Sequence, residues 1–434
     1  MKKLVKSWGR FLKVKAEIIS FSSEGIKIHS EKIIPRGLGK SYGDSSLAEN
    51  ILDLTTLKKI VHFDPLTGII EIESGVSIRE ILNFIVHAGW MLPIVPGTAD
   101  VTIGGAISAD IHGKNHMVKG SFSNHIAEMD VMLSSGEVVN CSAAKNSELF
   151  FAVTGGMGLI AIILRAKIQL QKLESCYMTE KTVFVKSLSL VIEMMKNCSD
   201  EFCVAWLDAF DKNISGIFSS ANYATKQEAS LAGKGKKIFM KQNFKFNIPF
   251  SFPFAILNAA GVNIYNKTRK LTTRQGKKLR HIVDFHFPLD KIKNWNRLYG
   301  TAGMVQYQFV LPLENAEQGL EEIFSLMKLR HCESYLAVLK NFGEEGKGIL
   351  SFPMKGLCLA LDFPATEKYF SLMNEMDEVV MKYQGRFYLA KDARLSAEVF
   401  IKTQPRINEF LFLKRKYDKE KIFSSLQSRR LLGE

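Results

Sequence analysis

Three glycine-rich loops within residues 35–160 place the strongest constraint on the fold of this chain. They read PRGLGKSYGDSS at 35–46, PGTADVTIGGAISADIHGK at 96–114 and TGGMGLI at 154–160. Glycine permits positive φ and close approach by a ligand, and consecutive backbone N–H groups form an anion-binding nest. Three such loops in one region favour a fold built around one large anionic ligand.

The usual nucleotide motifs do not describe these loops. None matches G-x-x-x-x-G-K-[ST], the phosphate-binding loop. GGMGLI resembles a fragment of G-x-G-x-x-G, but it lacks the acidic residue expected about 20 positions later. A metal site at His112 and His116, with Asp110 and His125 nearby, is the alternative. Gly113 disfavours a helix there and H-E-x-x-H is absent, so we predict no metal site.

Length and charge limit the class of protein. The 434 residues allow two domains, and the net charge of +14 favours anionic partners such as nucleic acid, phosphorylated metabolites or an acidic membrane surface. No helix-turn-helix, OB or RRM signature supports nucleic-acid binding. The cysteines form no C-x-x-C pair or zinc spacing, and we expect reduced, mostly buried thiols at Cys141, Cys176, Cys198, Cys203, Cys332 and Cys358.

The middle of the chain has an unusual charge pattern. Residues 226–280 contain thirteen Lys or Arg and one acid, Glu228, and they surround the uncharged stretch 246–266. Two prolines and four asparagines in that stretch disfavour a spanning helix. The stretch itself suits an apolar lid, a hairpin that dips into a membrane surface, or a loop packed in the core. The basic–apolar–basic order suits either an anionic lipid surface or a mobile solvated loop. With no signal-peptide pattern at the N-terminus, a cytoplasmic protein bound peripherally to the inner membrane is expected.

Periodicity predicts a mixed α and β fold. GIIEIESGV alternates as a strand does, and SIREILNFIVHAGW follows with helical spacing and Ser77 as its N-cap. MDVMLSSGEVVN predicts a hairpin around Ser135-Gly136, and SELFFAVTGGMGLIAIILRAKIQL predicts a helix, a turn and a buried strand. After residue 300, MVQYQFVLP, ESYLAVLKNFG and GLCLALDFP read as strands, and TEKYFSLMNEMDEVVMKYQG as a helix.

Several motifs together resemble a known family. RGLGKSYGD, PGTADVTIGGAISADIHGKNH and GSFSNHIAEMDVMLSSGEVV resemble the FAD-binding domain of the vanillyl-alcohol oxidase (PCMH-type) superfamily. FHFPLDKIKNWNRLYGTAGMVQYQFVLP, GRFYLAKDARLSAEVF and KRKYDKEKIFSS extend the resemblance to the decaprenylphosphoryl-β-D-ribose 2′-oxidases. It implies an α+β fold with an FAD domain of two α/β subdomains from residues 1–177 and 386–434. An inserted antiparallel-sheet substrate domain, 178–385, would carry a basic and apolar lid at about 226–280.

The resemblance also implies where FAD binds. The family's covalent relatives often carry His where this chain has Lys40, so non-covalent FAD is expected. Ile162 or Ile163 would hold the adenine side and Tyr388 would contact the ring system. The remaining cofactor residues implied are Gly37, Leu38, Gly39, Lys40, Ser41, Tyr42, Gly97, Thr98, Thr102, Gly104, Gly105, Ala109 and His112.

Catalytic and substrate residues follow from the same resemblance. Lys391 in YLAKDAR matches the family's essential lysine and would act as a base or as a cation that steadies an alkoxide or a phosphate. His112 and Tyr42 are the further catalytic candidates, and either could instead be structural. Trp206, Gln308 and Lys340 would line the sugar-phosphate pocket with Lys391. Many relatives carry Cys where this chain has Ala360; Cys358 lies two residues earlier on the same strand face.

The implied activity is FAD-dependent oxidation of the 2′-hydroxyl of a polyprenyl-phosphoryl-β-D-ribose to the 2′-keto sugar. This would be the first half of an epimerisation to arabinose for cell-wall arabinan. A separate NAD(P)H-dependent short-chain reductase would complete it, and a quinone or another acceptor would reoxidise the flavin. An aldonolactone or alditol oxidase with a soluble sugar substrate is the alternative. A flavin-binding scaffold without turnover is disfavoured by Lys391.

Overall fold

The computed structural model describes residues 2–21, 32–234, 238–241 and 246–434. Their strands in the first part of the chain are β1 (Lys3–Lys6), β2 (Lys13–Ser20), β3 (Ile34–Arg36), β4 (Asn50–Asp53), β5 (Ile60–Asp64), β6 (Ile69–Glu73), β7 (Trp90–Met91), β8 (Ile126–Met132), β9 (Val138–Cys141), β10 (Ile162–Gln169) and β11 (Gln171–Lys172). Those in the second part are β12 (Tyr177–Val185), β13 (Phe202–Leu207), β14 (Gly216–Tyr223), β15 (Phe246–Asn247), β16 (Gly276–His281), β17 (Ile292–Lys293), β18 (Met304–Pro312), β19 (Leu336–Phe342), β20 (Gly356–Pro364) and β21 (Arg386–Phe387).

The helices lie between these strands and at the C-terminus. They are α1 (Ile78–Ile85), α2 (Ile103–Ser108), α3 (His116–Lys119), α4 (Ser147–Val153), α5 (Leu188–Lys196), α6 (Lys226–Leu231), α7 (Ala259–Thr272), α8 (Ile282–His286), α9 (Ala316–Leu329), α10 (Glu367–Lys382), α11 (Ala397–Thr403), α12 (Ile407–Tyr417) and α13 (Leu426–Leu432).

Two main sheets come from the first part of the chain. A mixed four-stranded sheet has the order β1-β2-β4-β3, with β4 parallel to both β2 and β3. An antiparallel five-stranded sheet has the order β5-β6-β10-β8-β9. The glycine-rich loops lie in and between the elements of this region, so these sheets fix their positions.

An eight-stranded antiparallel sheet forms the second part of the molecule. Its order is β16-β12-β14-β13-β19-β20-β18-β21. Helices α5, α9 and α10 pack against it, and all nine residues of β20 are buried. Alternate residues of a strand face opposite sides; thus one side of this sheet packs on helices and the other lines the cavity described below. The α+β class expected from sequence is confirmed.

Local sequence signals explain the well-predicted elements. Ser77 caps α1 with a complete capping box, in which its hydroxyl accepts from the Glu80 N–H and the Glu80 carboxylate accepts from the Ser77 N–H. The hairpin at Ser135-Gly136 connects β8 and β9, whose Met129 and Cys141 are paired in register. The helix, turn and buried strand predicted over 147–170 correspond to α4 and β10.

The uncharged stretch 246–266 contains the first half of α7 in the structure. Asn258 caps this helix by accepting from the Gly261 N–H. The last turns of α7 are attached to Asp208 through Asn266 and Lys270. Lys236 and Lys237 of the basic flank lie outside the described residues. Within the described part of the chain, no helix has the length and apolar character to cross a membrane.

The expectation of six reduced cysteines is wrong for one pair. Cys198 and Cys203 form a disulfide, with Cα atoms 6.8 Å apart. The short turn between α5 and β13 brings these two side chains together, which their spacing alone did not indicate. The other four cysteines are free and buried, as expected.

The C-terminal segment returns to the first part of the molecule. Phe423 forms a bridge with Ile33 and packs in a small core with Leu52 and Ile162. The guanidinium of Arg430 pairs with Asp44 at 2.8 Å and with Asp392 at 2.9 Å. Residues from both ends of the chain therefore share one packed unit.

Candidate active site

A cavity of about 410 Å³ lies between the glycine-rich loops and the open face of the eight-stranded sheet. The cofactor residues predicted from sequence line it, and of the two isoleucines predicted for the adenine side, Ile163 lines the cavity and Ile162 does not. Ile162 points the other way into the small core of Phe423. Among the predicted catalytic and substrate residues, the cavity is lined by Lys391, His112, Tyr42, Gln308 and Lys340.

Two glycines show how the loops make this cavity. A Cβ at Gly37 would overlap the hydroxyl of Thr102, so the first loop can approach the second only without a side chain there. A Cβ at Gly97 would meet no protein atom within 4 Å. Gly37 therefore serves loop-to-loop packing, whereas Gly97 leaves room for a ligand.

The loops fit the pyrophosphate of FAD. Leu38, Gly39, Gly97 and Thr98 line the cavity, and their backbone N–H groups donate to no other described residue. These residues are open to the cavity, since Leu38 and Gly97 are exposed and Gly39 and Thr98 are half-buried, and clustered N–H groups of this kind bind anions. The guanidinium of Arg36 fixes the first loop by donating hydrogen bonds to the carbonyls of Ser46 at 3.0 Å and Lys6 at 3.1 Å.

Lys391 occupies a half-buried position beside Tyr42 and near Asp362. Its Nζ lies 3.8 Å from the centre of the Tyr42 ring. Burial lowers the pKa of Lys391 to about 7, with Lys340 adding to the effect and Asp362 opposing it. Burial also raises the pKa of Asp362 to about 7, although the amide of Gln306 donates to its Oδ1. Both groups can therefore exchange a proton near neutral pH.

His112 is held as a neutral ring. The Gln308 amide lies 3.0 Å from Nε2 and donates, which leaves the ring proton on Nδ1. That Nδ1 is buried and has no partner among the described residues. Burial lowers the pKa of His112 well below its usual value, with Lys340 as the next cause. The ring packs on Tyr388 at 5.0 Å and on Phe342 at 4.8 Å, so it can donate one hydrogen bond toward a bound ligand.

The register of the sheet sets the floor of the cavity. Val338, Ala360 and Gln308 lie side by side on β19, β20 and β18. Trp206 continues this row on β13, opposite Val338, but it does not line the cavity. The guanidinium of Arg269 on α7 covers its ring at 4.4 Å. The role of Trp206 in substrate binding therefore stays a prediction.

Several residues of the site escaped the sequence analysis. Asp362 lies two positions beyond Ala360, so strand alternation could have placed it on the same face. Lys114 lies in the quoted DIHGKNH motif, two positions after His112, and its Nζ sits 4.3 Å from the centre of the Phe285 ring. His286 also lines the cavity, but no local pattern in the sequence indicated that it would.

Comparisons with known proteins agree with this geometry. Residues 24–142 match the model of an FAD binding domain. A decaprenylphosphoryl-β-D-ribose oxidase of Mycolicibacterium smegmatis is 34% identical over 99% of this chain and 97% of its own length. A human Δ(24)-sterol reductase is 30% identical over 28% of this chain and 22% of its own length. A D-arabinono-1,4-lactone oxidase of Yarrowia lipolytica is 24% identical over 39% and 33%.

The FAD binding domain and the relative named as an oxidase show that this chain is an FAD-dependent oxidoreductase that acts on a sugar hydroxyl. The partial matches to the sterol reductase and the lactone oxidase are limited to part of the chain. The match that spans the whole chain is more specific. The chain belongs to the family of the decaprenylphosphoryl-β-D-ribose oxidases.

Proposed function

We propose that this protein oxidises the 2′-hydroxyl of a polyprenyl-phosphoryl-β-D-ribose to the 2′-keto sugar. The observation that supports this most directly is 34% identity over 99% of the chain to an enzyme named for that substrate. Within the chain, residues 1–177 and 386–434 would hold FAD, and residues 178–385 would hold the sugar.

Loss of a hydride and a proton from an alcohol requires an acceptor for each. When bound, FAD supplies the chemistry that accepts the hydride from the alcohol carbon. The residues proposed to hold FAD are those named above from the first two loops, together with Ile163 and Tyr388. Lys391 as a neutral amine would take the hydroxyl proton at Nζ. Once protonated, it would stabilise negative charge on the substrate oxygen or phosphate.

The test is an anaerobic absorbance spectrum before and after addition of polyprenyl-phosphoryl-ribose. The wild-type protein should lose its flavin absorbance band, while Lys391→Ala should retain FAD and lose the band about 100- to 10,000-fold more slowly. A protein that keeps its flavin band with this substrate but loses it with an aldonolactone would support the soluble-sugar alternative and contradict the proposal.

Two protein or small-molecule partners belong to this proposal. A separate NAD(P)H-dependent short-chain reductase would return the ketone to a hydroxyl, and a quinone or another acceptor would reoxidise the flavin. Stoichiometric keto sugar, formed without that reductase and converted to the arabinose epimer when it is added, is the expected result. Formation of the arabinose epimer by this chain alone would contradict the proposal that a separate reductase is required.

A peripheral membrane surface would bring the lipid-linked sugar to the cavity. Apolar side chains are exposed on the segment 246–272, which approaches the cavity where Phe246 pairs with Ile292, a residue of the cavity lining. Exposed basic residues surround them at Lys267, Arg274, Lys277 and Lys278. Exposed apolar surface with nearby cations suits an anionic bilayer. The exposed large apolar residues are Phe246, Phe250, Phe254, Ile256, Ile264, Tyr265 and Leu271.

Flotation with anionic vesicles tests this surface. Replacing both Phe250 and Phe254 with Ser should lower vesicle binding by at least about tenfold, because each buried phenylalanine contributes about 1.5–3 kcal/mol. Phe412→Ser is the matched control, since Phe412 is similarly exposed at 58% but lies on α12. Equal binding by the wild type, the double variant and the control would contradict the proposed surface.

A further inference from the structure

The disulfide between Cys198 and Cys203 joins the end of α5 to the start of β13. Its two cysteines are five positions apart in the sequence. A cross-link that closes a short loop restricts the unfolded chain less than one that closes a long loop. The stability that this bond adds is therefore small for a disulfide, and its main effect is expected at the turn itself.

The two cysteines of this bond differ in their exposure. Cys203 is buried, whereas Cys198 is half-buried and lies between the exposed residues Asn197 and Ser199. The four free cysteines are all buried. A thiolate from another molecule can therefore approach the Sγ of Cys198, and exposed disulfides exchange more readily than enclosed ones.

The turn can also hold the reduced pair. The Sγ of Cys203 lies 3.7 Å from the carbonyl oxygen of Asp200, which would accept a hydrogen bond from the thiol. Further bonds fix the turn without the disulfide, because the Glu201 N–H donates to the Asn222 side chain at 2.8 Å and that side chain donates to Asp200 at 2.8 Å. Reduction is therefore expected to loosen the turn and leave the protein folded.

Two hydrogen bonds connect this turn to the end of the second glycine-rich loop. The N–H of Cys203 donates to the carbonyl of Lys114 at 3.1 Å. The amide of the buried Asn115 donates to the Glu201 carboxylate at 3.2 Å. Lys114 and the nearby His112 both line the cavity. A change in the turn would therefore reach the cavity through these two bonds.

We infer that Cys198 and Cys203 form a thiol–disulfide exchange site whose redox state controls how firmly the end of the second loop is held. One thiolate of a dithiol reductant would attack the Sγ of Cys198, and Cys203 would leave as a thiolate that takes up a proton. The second thiolate of the reductant would attack its own sulfur in the mixed disulfide, so that Cys198 leaves in the same way. The protein thus gains two electrons and two protons, and the reductant becomes a disulfide.

The experiment follows reduction of the full-length, FAD-loaded protein by dithiothreitol. Acid quenching, alkylation and mass measurement should show new thiols at Cys198 and Cys203, while the protein keeps its flavin. Hydrogen exchange across residues 113–116 and 199–204 should become about 2- to 12-fold faster, because one hydrogen bond changes an equilibrium constant by about that factor. A disulfide that resists dithiothreitol until the protein unfolds would overturn the inference, as would identical hydrogen exchange in the two redox states.

Two cysteine variants separate this site from other effects of the reductant. Cys198→Ser should show the faster hydrogen exchange with or without dithiothreitol. Cys332→Ser is the matched control, since Cys332 is free and buried, and it should keep the full response to dithiothreitol. A response of hydrogen exchange that persists in Cys198→Ser would show that the reductant acts elsewhere and would overturn the inference.

Turnover gives a second measurement, because this inference goes beyond the proposed function and does not depend on it. The reduced protein should oxidise polyprenyl-phosphoryl-ribose with a KM raised about 2- to 12-fold, and reoxidation should restore the lower value. Redox-dependent hydrogen exchange without turnover in either state would support the exchange site and overturn the proposed function. Turnover with equal KM and kcat in both states would overturn the control of the loop and leave the proposed function standing.

Discussion

Lys391 and Asp362 illustrate how burial prepares single residues for proton transfer. Neither forms an ion pair within the described residues, yet each affects the charge of the other. Tyr42 covers the ammonium group from one side, and Gln306 holds the carboxyl group. An ordinary surface lysine would be protonated at neutral pH, so the desolvation of Lys391 is what would permit it to act as the proposed base.

This arrangement predicts the pH dependence of flavin reduction. Only the neutral amine of Lys391 accepts a proton, and its pKa is lowered to about 7. The rate should therefore rise as the pH increases through about 7 and level off above it. Asp362→Asn removes a charge that favours the ammonium form, so the rise should move to lower pH. Rapid-mixing measurements across pH check this, and an unshifted rise in the variant would contradict it.

The desolvated charge of Lys114 predicts that the stability of the substrate-free protein depends on pH. Its pKa in the folded protein is about 7, below the unfolded value of about 10.4. The cost of burying its charge is therefore full below pH 7 and disappears as the pH rises to about 10. Lys114→Met should raise the free energy of unfolding on the order of 1 kcal/mol at pH 6, with a smaller gain at pH 9. Denaturation of the substrate-free protein at both pH values measures this, and a loss of stability at pH 6 would contradict it.

At the scale of elements, the loops and the sheet differ in how far sequence determines them. The strands β6, β10 and β20 were predicted because burial leaves a period of two or a continuous apolar run. The glycine-rich loops were recognised as ligand-binding, but the packing role of Gly37 against Thr102 depends on two segments far apart in sequence. Asp362 and Lys114 were missed for the same reason: their chemistry comes from neighbours that only the tertiary structure supplies.

Gly37 and Gly97 make a paired prediction for the loops. Gly97→Ala should leave the stability of the FAD-free protein within about 0.5 kcal/mol, because its Cβ would meet no protein atom. It should weaken FAD binding about tenfold or more, because overfilling a packed site costs about 1–3 kcal/mol. Gly37→Ala should lower both the stability of the FAD-free protein and its affinity for FAD. Flavin titration and thermal unfolding of the two apoproteins check this, and tight FAD binding by Gly97→Ala would count against ligand approach there.

A buried carboxylate, Asp208, attaches helix α7 to the rest of the protein. Asp208 is buried and accepts from the Asn266 amide at 2.8 Å, and Lys270 lies 2.7 Å from its other oxygen. Removing one partner of a buried pair costs about 3–5 kcal/mol. Lys270→Met should therefore increase amide hydrogen exchange across α7, while Lys267→Met, at an exposed position of the same helix, should not. Equal protection in both variants would show that Asp208 does not hold the helix.

At the scale of the whole molecule, both ends of the chain hold the loop that carries Lys391. Asp392 lies next to it and pairs with Arg430 of the last helix, which also pairs with Asp44. Four residues before Lys391, Phe387 of β21 pairs with Phe309 of β18 in the large sheet. The position of the lysine thus depends on contacts from the two parts of the molecule that enclose the cavity.

Arg430 and Arg429 allow a matched test of this connection. Arg430→Ala leaves two buried carboxylates without their partner and should cost about 3–5 kcal/mol. Arg429→Ala breaks a pair with Glu49, which is 47% exposed, and should cost about 0–1 kcal/mol. The temperature at which the protein releases FAD should therefore fall much more for Arg430→Ala. Equal shifts would contradict the role of the C-terminal helix.

The short edge strand β21 has a consequence for how relatives of this protein can diverge. A single residue inserted between Phe387 and Lys391 would displace Lys391 from the two parts of the molecule that enclose the cavity. The number of residues between β21 and Lys391 is therefore constrained by the proposed role of Lys391. The described residues of the segment from 226 to 275 contact the rest of the protein through α7, the pairing of β15 with β17 and the hydrogen bonds of Arg297 to Ile248 and Pro249, but none of them lines the cavity. Exchanging that segment between relatives would therefore give chimeras with a changed lipid preference and the same reaction. In this fold, the surface proposed to meet the lipid would evolve separately from the proposed site of oxidation.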